Sequence, residues 1–292
     1  MNGIQLAVIG GSGFYEMDGL SEIEEVRPET PFGPPSDAIV LGSLSGVRLA
    51  FLPRHGAGHR ILPGELNARA NIWALKQLGA ERIVAVNAVG SLREEIAPTH
   101  LVVPDQLIDR TSGRTSSFFG RGLVAHIAFD QPFCPALSEL LAASARAAGA
   151  TVHLGGTCIV TEGPAFSTKA ESRLYRSWEA DVIGMTTLPE AKLAREAEIC
   201  YATLALVTDY DTWHDGHATV SADLIVFKLN RSVHTARSVV AQAARALPAT
   251  RDCACASALA GAIVTPPELV PDETKRDLAP IIARYMPVGA AR

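Results

Sequence analysis

Two aspartates that follow an apolar segment are the residues of this sequence best placed to do chemistry. The segment 204–207 is apolar throughout, and Thr208, Asp209, Tyr210 and Asp211 come directly after it. An unbroken apolar run of this kind predicts a buried strand. Residues two apart in an extended chain point to the same side, so both aspartates could face one ligand. A strand followed by an acidic turn with two solvated carboxylates explains the same residues equally well.

Further polar residues follow other predicted strands. Arg54 and His55 come after the segment VRLAFLP, and Asn87 and Ala88 come at the end of a strand that begins near Ile83. Arginine does not lose its charge by titration and suits bidentate contact with phosphate. A surface arginine followed by a histidine in a turn is the alternative interpretation of Arg54 and His55.

Two loops have the chemistry of anion sites. The glycines of GGSG permit positive φ angles and let main-chain N–H groups converge on an anion, and Ser12 adds a hydroxyl. Thr186 precedes a predicted helix that begins near Pro189, where an anion is attracted. The GGSG loop does not match GxGxxG and lacks the acidic residue of a dinucleotide site, so it indicates no such site. A tight turn without a ligand remains the alternative for this loop.

Strands and helices alternate along the chain. The segment 39–53 predicts two strands joined by Ser45 and Gly46, which is a hairpin signature. Apolar residues at helical spacing predict helices over 65–80, 135–150 and 222–247. The order predicts an α/β fold, a single domain with a central mixed, mainly parallel sheet flanked by helices. Ligands of open α/β sheets bind outside the carboxyl ends of the strands, where the polar residues above are expected.

The composition is that of an ordinary soluble globular protein, with 48% hydrophobic and 20% charged residues. A net charge of −5 gives no reason to expect nucleic acid or an anionic membrane as a partner. The N-terminal sequence MNGIQLAVIGGSG has the features of neither a signal peptide nor a membrane span, which favours a cytoplasmic protein. No linker divides the chain, so we expect one domain over residues 1–250 and a C-terminal extension, 251–292, that packs on it.

The five cysteines include one closely spaced pair, Cys253 and Cys255. Such a pair can bind metal, exchange disulfides or be exposed without a role. No second cysteine pair or histidine pair at zinc spacing accompanies it, so we predict no structural zinc. A redox-sensitive Cys253–Cys255 pair is a hypothesis. Cys134, Cys158 and Cys200 are scattered along the chain, which suggests buried thiols.

Several long motifs resemble those of one enzyme family and occur in the same order. They are GGSG, PRHGAGHR, NARANIWALKQLGA, NAVGSLREEI, DQLIDRTSGR, EGPAFSTKAES, ADVIGMTTLPEAKLAREAEICYA and VTDYDTW. From about residue 4 to about residue 247, the chain resembles the trimeric purine nucleoside phosphorylase family, and most closely its branch that acts on 5′-methylthioadenosine. The resemblance implies the nucleoside phosphorylase fold, a homotrimer, and reversible attack of inorganic phosphate on a purine nucleoside without a metal or organic cofactor.

The resemblance also assigns roles to residues. It implies that Asp209 faces N7 of the purine and that Asp211 faces the exocyclic amine. The phosphate site that it implies consists of Ser12, Arg54, His55, Asn87, Ala88 and Thr186. The other substrate contacts that it implies are Met185 under the ribose, Phe166 and Ser167 beside the base, Val220, Ala222 and Val226 around the 5′ group, and His126 from a neighbouring subunit.

The chemistry of the reaction agrees with these roles. Cleavage of the glycosidic bond builds positive charge on the sugar, which phosphate neutralises, and negative charge on the purine. A protonated Asp209 that donates to N7 would neutralise the purine, provided that burial and a neighbouring acid raise its pKa. A hydrogen bond from Thr208 could tune Asp209. Asp211 is an acceptor and suits a 6-amino group better than a 6-oxo group, and an apolar 5′ pocket suits a thiomethyl group.

Three positions depart from the pattern of many relatives. Ser12 and Asn87 stand where many relatives have threonine, and Gly184 stands where many have asparagine. Ser12 keeps the hydroxyl, whereas Asn87 and Gly184 resemble the oxopurine and methylthioinosine branches. The alternatives are therefore a purine nucleoside phosphorylase of broader specificity or a methylthioinosine phosphorylase. A nucleoside-binding scaffold without activity is the alternative outside enzymes, and its expected sign, loss of Asp209 or Arg54, is not found.

Overall fold

The computed structural model describes residues 3–11, 14, 16–214 and 222–287, with the backbone alone over 222–231. Two residues of the predicted site, Ser12 and Val220, lie outside the described residues, and so do the side chains of Ala222 and Val226. The described part of the chain forms an eleven-stranded sheet with helices on both faces.

Strands and helices alternate through most of the chain, as predicted. The strands are β1 (Leu6–Gly10), β2 (Ser21–Val26), β3 (Ile39–Leu44), β4 (Val47–Pro53), β5 (Arg82–Ser91), β6 (Leu101–Val103), β7 (Gln106–Arg110), β8 (Val152–Leu154), β9 (Thr157–Thr161), β10 (Val182–Gly184) and β11 (Cys200–Asp209). The helices are α1 (Ala68–Gln77), α2 (Pro135–Ala147), α3 (Lys169–Ser177), α4 (Thr187–Glu196), α5 (Ala222–Arg245), α6 (Asp272–Asp277) and α7 (Ala279–Ile282). Short 3₁₀ turns lie at Pro63–Glu65, Ala254–Ser257 and Pro267–Leu269.

The sheet is mixed and mainly parallel, which confirms the predicted fold class. Its longest path runs β2-β3-β4-β1-β5-β10-β9-β7, and β11 pairs with β5 and with β6. β4, β1, β5 and β11 are parallel neighbours in that part of the sheet. Their carboxyl ends therefore share one edge, which is where a ligand is expected in this class of fold.

Helices cover the sheet on both faces, and β11 shows how the two cores are divided. Ala205 and Val207 join the core that α1 and α4 line, whereas Leu204 and Leu206 join the core that α2 and α5 line. Successive side chains of a strand point to opposite faces, so a strand covered on both sides is apolar throughout. β11 is buried along its whole length, as its sequence predicts. Among the helices that the structure describes, none is both long and apolar enough to cross a membrane.

The edge of the sheet contains one predicted hairpin and one strand that the sequence does not reveal. β3 and β4 pair through a turn in which Ser45 and Gly46 have φ angles of 52° and 82°. Positive φ at both turn residues is the conformation that two-residue hairpins favour. β2 pairs with β3, and its residues are exposed or half-buried. Its sequence SEIEEV lacks the apolar alternation by which a half-buried strand is recognised.

The part of the C-terminal segment that contains α6 and α7 packs against the face that α1 and α4 cover. Leu278 and Ile282 are buried in that core. The indole Nε1 atom of Trp73, in α1, donates to the Asp277 carbonyl oxygen at 2.9 Å. The Tyr285 hydroxyl donates to the Glu198 carboxylate at 2.5 Å.

Candidate active site

Asn87 and Thr186, which the resemblance assigns to phosphate, meet near the end of β5. β10 runs antiparallel to the last residues of β5, and this pairing brings the start of α4 back beside Asn87. The Asn87 Nδ2 atom lies 2.5 Å from the Thr186 Oγ1 atom. The Asn87 side chain is buried, and its Oδ1 atom has no hydrogen-bond partner among the described residues. A buried polar atom without a partner is costly, so this point of the structure suits a polar ligand.

Arg54 follows β4, and its guanidinium is buried in an ion pair with Glu190 of α4, with 3% of the arginine side chain exposed. Its Nε and Nη2 atoms donate to the Glu190 carboxylate at 2.6 and 3.1 Å, and Nη1 donates to the Val86 carbonyl oxygen at 2.9 Å. Burial opposes the charged form, but the Glu190 carboxylate outweighs this effect and raises the pKa of Arg54. The guanidinium thus ties β4, β5 and α4 together, and its contact with phosphate stays a prediction.

His55 is half-buried and held in one orientation. Its Nδ1 atom lies 2.8 Å from the Ile61 carbonyl oxygen, and its ring stacks on His59 with centroids 4.2 Å apart. Because a carbonyl oxygen can only accept, Nδ1 carries the proton and Nε2 is the acceptor of the neutral ring. Burial, together with the positive charge of Arg54, lowers the pKa of His55 to about 4. The ring is therefore neutral at pH 7 and offers no positive charge to an anion.

Asp209 is the last residue of β11, and a β-bulge sets its direction. Val207 pairs with Val89 and Asp209 pairs with Gly90, so Thr208 is an extra residue in the ladder. Bulges re-aim side chains and are frequent next to active sites. The Thr208 hydroxyl lies 2.7 Å from Asp209 Oδ2 and 3.2 Å from the Val89 carbonyl oxygen. Asp209 is only 8% exposed, so its carboxyl group is largely shielded from water, and the Thr208 hydroxyl holds it in place.

Asp211 does not continue the strand. β11 ends at Asp209, and Asp211 has a φ of 48°, so the prediction of an extended chain through both aspartates is wrong. The turn instead lets the main-chain N–H of Asp211 donate to Asp209 Oδ1 at 2.8 Å. Burial raises the pKa of Asp211, and the charges of Asp209 and Glu171 act in the same direction against the opposing effect of the Ser172 hydroxyl. The Asp211 Oδ2 atom is buried without a hydrogen-bond partner among the described residues.

Gly90 lies directly against the two acids. A Cβ atom at this position would be 3.0 Å from Asp209 Oδ1 and 3.2 Å from the Asp211 Cβ atom. It would also be 3.2 Å from the Ile183 Cγ2 atom of β10. These distances are shorter than ordinary van der Waals contact, so a side chain at position 90 would displace the acids or β10. The glycine of the NAVGS segment thus makes room for the acidic pair.

Arg114 organises the other side of the site, and its role was not predicted from the sequence. Its Nη1 atom donates to the carbonyl oxygens of Met185 and Leu188 at 2.6 and 2.7 Å. Its Nη2 atom donates to the Glu162 carbonyl oxygen at 2.5 Å, and Nε contacts the Glu162 carboxylate at 3.1 Å. Arg114 therefore joins the loop after β9 to the loop before α4 and fixes Met185. The motif DQLIDRTSGR contains it, but the sequence gives no sign of partners so distant along the chain.

The remaining predicted substrate contacts lie in loops and at strand ends. Phe166 is 41% exposed and Ser167 is half-buried, and both lie between β9 and α3. His126 is exposed, and its main-chain N–H donates to the Ala262 carbonyl oxygen at 2.9 Å. Ala88 pairs with Leu206 beside Asn87 and is half-buried. The structure joins Asn87 to Thr186 and Asp211 to Asp209 by hydrogen bonds, whereas the main-chain hydrogen bond of His126 is to the C-terminal segment.

A sequence model described as the phosphorylase superfamily matches residues 5–245. The chain belongs to the phosphorylase superfamily. This member is 57% identical over 282 residues to the S-methyl-5′-thioadenosine phosphorylase of Geobacter sulfurreducens, a match that covers 96% of this chain and 99% of the relative. It is 57% identical over 286 residues to the enzyme of the same name from Gloeobacter violaceus, which covers 96% of each chain.

Solved structures of the superfamily show the same fold. The crystal structure of a methylthioadenosine phosphorylase sourced from an antarctic soil metagenomic library has a TM-score of 0.92 and 48% identity, and the match covers 96% of this chain and 99% of the other. Another structure is a variant of the adenosine/methylthioadenosine phosphorylase from Schistosoma mansoni in complex with methylthioadenosine. It has a TM-score of 0.80 and 36% identity, and the match covers 85% of this chain and 93% of the other. The family and fold expected from the motifs are therefore confirmed.

Proposed function

We propose that this protein is a 5′-methylthioadenosine phosphorylase, a pentosyltransferase that converts 5′-methylthioadenosine and inorganic phosphate to adenine and 5-methylthioribose 1-phosphate in purine and methionine salvage. The observation that carries the proposal is the acidic pair Asp209 and Asp211 at the end of β11 in a phosphorylase fold. Two hydrogen bonds hold the Asp209 carboxyl group, and one of them comes from the main chain of Asp211. Relatives of that name match nearly the whole chain at 57% identity, and a structural neighbour binds methylthioadenosine.

The phosphate half of the site is assigned to the Asn87–Thr186 pair. If the oxygen and nitrogen of the Asn87 side-chain amide exchange places, the Thr186 hydroxyl donates to the Asn87 oxygen. The NH₂ group of Asn87 then has no partner and can donate to an anion. Thr186 precedes the helical part of α4, and Ser12 adds a second hydroxyl. His55 is neutral, and its Nδ1 proton is used in the hydrogen bond to the Ile61 carbonyl oxygen. It can therefore donate to phosphate only through its main-chain N–H, and the same holds for Ala88, which has no polar side chain.

Arg54 supports the phosphate half by holding its elements in place. Its guanidinium contacts Glu190 of α4 and the Val86 carbonyl oxygen of β5, directly before Asn87. One of the two N–H groups of Nη1 takes no part in these contacts, and it could donate to phosphate. The net charge of the Arg54–Glu190 pair is zero, so neutral and polar donors, rather than a free cation, carry most of the phosphate contact in this proposal.

The base half of the site is assigned to Asp209. As the C1′–N9 bond breaks, its electron pair goes to the purine, Asp209 gives its proton to N7, and a phosphate oxygen forms the new bond to C1′. Thr208 can serve both protonation states of the acid. It donates to Asp209 Oδ2 when the carboxylate is ionised, and it can donate to the Val89 carbonyl oxygen while accepting from the protonated acid.

Asp211 is assigned to the group at carbon 6 of the purine. Its buried Oδ2 atom has no partner among the described residues, so it can accept from a 6-amino group. Burial raises the pKa of Asp211, and a protonated Asp211 would instead donate to a 6-oxo group. This observation favours, as the second candidate, a phosphorylase that also accepts inosine or methylthioinosine.

The rest of the proposed site surrounds the sugar and the base. Met185 lies under the ribose, and Phe166 and Ser167 border the base. The 5′ thiomethyl group is assigned to Val220, Ala222 and Val226 with His126 of a neighbouring subunit in a homotrimer. Inorganic phosphate is the co-substrate, and neither a metal nor an organic cofactor is required at this site. The proposed location is the cytoplasm.

The experiment that tests this function compares kcat/KM for four nucleosides at saturating phosphate. The substrates are methylthioadenosine, adenosine, methylthioinosine and inosine, and base release is measured for each. The proposal expects methylthioadenosine to be the best substrate, because it satisfies both Asp211 and an apolar 5′ pocket. A higher value for inosine would contradict the role of Asp211. Nucleoside binding without base release from any substrate would identify a scaffold.

A further inference from the structure

Four of the five cysteines meet in space although they come from distant parts of the chain. Cys134 directly precedes α2, Cys200 begins β11, and Cys253 and Cys255 lie at the 3₁₀ turn of the C-terminal segment. The four Sγ atoms all lie within 4.8 Å of one another, and those of Cys200 and Cys253 are 3.2 Å apart. Three of the thiols are buried and Cys253 is half-buried. The fifth cysteine, Cys158, is buried elsewhere, in β9.

The four sulfur atoms are close enough to one another to share a single metal ion. Zinc binds four thiolates tetrahedrally at about 2.3 Å, which places the sulfur atoms about 3.8 Å from one another. The four Sγ atoms, all within 4.8 Å of one another, could therefore reach one ion, and the group contains no carboxylate or histidine. An all-sulfur donor set selects soft or borderline ions such as zinc over magnesium or calcium.

A cation would compensate the negative charge that this cluster acquires on binding. Three buried thiolates and one half-buried thiolate would repel one another at these distances, so the four thiols can lose their protons together only when a cation is bound.

We propose that Cys134, Cys200, Cys253 and Cys255 bind one zinc ion that ties the C-terminal segment to the amino end of β11. Binding replaces the thiol protons, which pass to the solvent, and four Zn–S bonds form without oxidation or reduction. The segment that leads to Cys253 is already held in place. Arg82 donates to the carbonyl oxygens of Pro248 and Thr250, at 3.0 and 2.9 Å.

This zinc site would be structural and remote from the acidic pair. Cys200 and Asp209 lie at opposite ends of β11, about 30 Å apart at the usual rise of about 3.3 Å per residue. Removal of the ion should therefore lower thermal stability and leave kcat on nucleosides unchanged in the protein that remains folded. The proposal departs from the expectation of no structural zinc, since that expectation considered only cysteine spacing along the chain.

Metal analysis of the full-length protein tests the proposal. The protein is purified under a thiol-free reductant without chelators, and zinc is measured per chain by mass spectrometry. We expect about one zinc ion per chain, as a four-cysteine site requires. The Cys253→Ser/Cys255→Ser variant should hold at least about tenfold less zinc per chain than the wild type. The Cys158→Ala variant should hold as much zinc as the wild type.

A second measurement covers the case in which the double variant does not fold. The wild-type protein is stripped with a chelator, titrated with Zn²⁺ alone against a chromophoric competitor, and followed by thermal unfolding. Saturation at one ion per chain with a rise in Tm supports the site. No zinc uptake with four freely reactive thiols would overturn it, and so would an intact mass that shows the cysteines joined in disulfides in the reduced preparation.

Discussion

The main-chain N–H of Asp211 donates to the Oδ1 atom of Asp209 across 2.8 Å, within a turn where Asp211 has a φ of 48°. This hydrogen bond makes the two acids one structural unit, because the position of one carboxyl group depends on the backbone of the other residue. The Thr208 hydroxyl holds the opposite oxygen of Asp209 at 2.7 Å. The acid that we propose to protonate the leaving purine is thus oriented before the substrate binds.

Asp209→Asn should bind methylthioadenosine but lose about 10²–10⁴-fold in kcat. Asparagine has nearly the same shape as aspartic acid, but it cannot transfer a proton, and general acid catalysis contributes about this factor. Steady-state kinetics with adenine release as the readout checks this result. The exposed Asp18→Asn variant is the matched control, and it should keep wild-type values. Equal turnover of Asp209→Asn and the control would contradict the acid role.

Gly90→Ala should lower kcat more than about tenfold, since a Cβ atom 3.0 Å from Asp209 Oδ1 must displace the acidic pair. Gly3→Ala is the matched control, because its Cβ atom would make an ordinary contact of 3.4 Å. Kinetics and circular dichroism of both variants separate misplacement of the acids from general unfolding. A Gly90→Ala enzyme with wild-type kcat would show that the packing of Gly90 against the acids is unimportant.

Glu190→Gln should destabilise the fold by about 3–5 kcal/mol, because it leaves the buried charge of Arg54 without its partner. Urea unfolding measures the free energy, with exposed Glu268→Gln as the control. The double change Arg54→Met/Glu190→Leu should be less destabilising than Glu190→Gln alone, since it removes both charges. Its KM for phosphate reports whether Arg54 also contacts phosphate. A Glu190→Gln variant as stable as the control would show that the ion pair is not needed.

Acid should weaken the fold in part through His55, whose pKa is lowered from 6.5 to about 4 by burial. The unfolded chain binds the proton more readily than the folded chain. The stabilising effect of a neutral His55 is therefore complete above about pH 6.5 and is lost as the pH falls toward about 4. The free energy of unfolding should drop less between pH 7 and pH 5 in His55→Asn than in the exposed control His234→Asn. An equal drop in both variants would contradict this assignment.

The sequence predicts those parts of the site whose position follows from a local pattern of apolar and polar residues. The apolar run of β11 predicts a buried strand, and the strand delivers Asp209 to the carboxyl edge of the sheet. Arg54, which follows β4, and Asn87, in the second half of β5, are placed near the same edge for the same reason.

The parts that the sequence does not reveal depend on geometry or on distant partners. The bulge at Thr208 and the left-handed turn at Asp211 have no distinctive sequence pattern, since aspartate also occurs in extended chains. The pairing of Arg54 with Glu190 joins residues 136 positions apart, and Arg114 likewise contacts loops far along the chain. The meeting of Cys134 with Cys253 also follows from the fold rather than from spacing.

Cleavage of 5′-methylthioadenosine by the purified protein, with and without inorganic phosphate, tests the proposed function most directly. Adenine and 5-methylthioribose 1-phosphate are quantified by chromatography in each reaction. We expect equal molar amounts of the two products when phosphate is present and neither product when it is absent. Folded protein that releases no adenine at saturating substrate and phosphate, or that releases adenine equally well without phosphate, would contradict the proposed phosphorolysis.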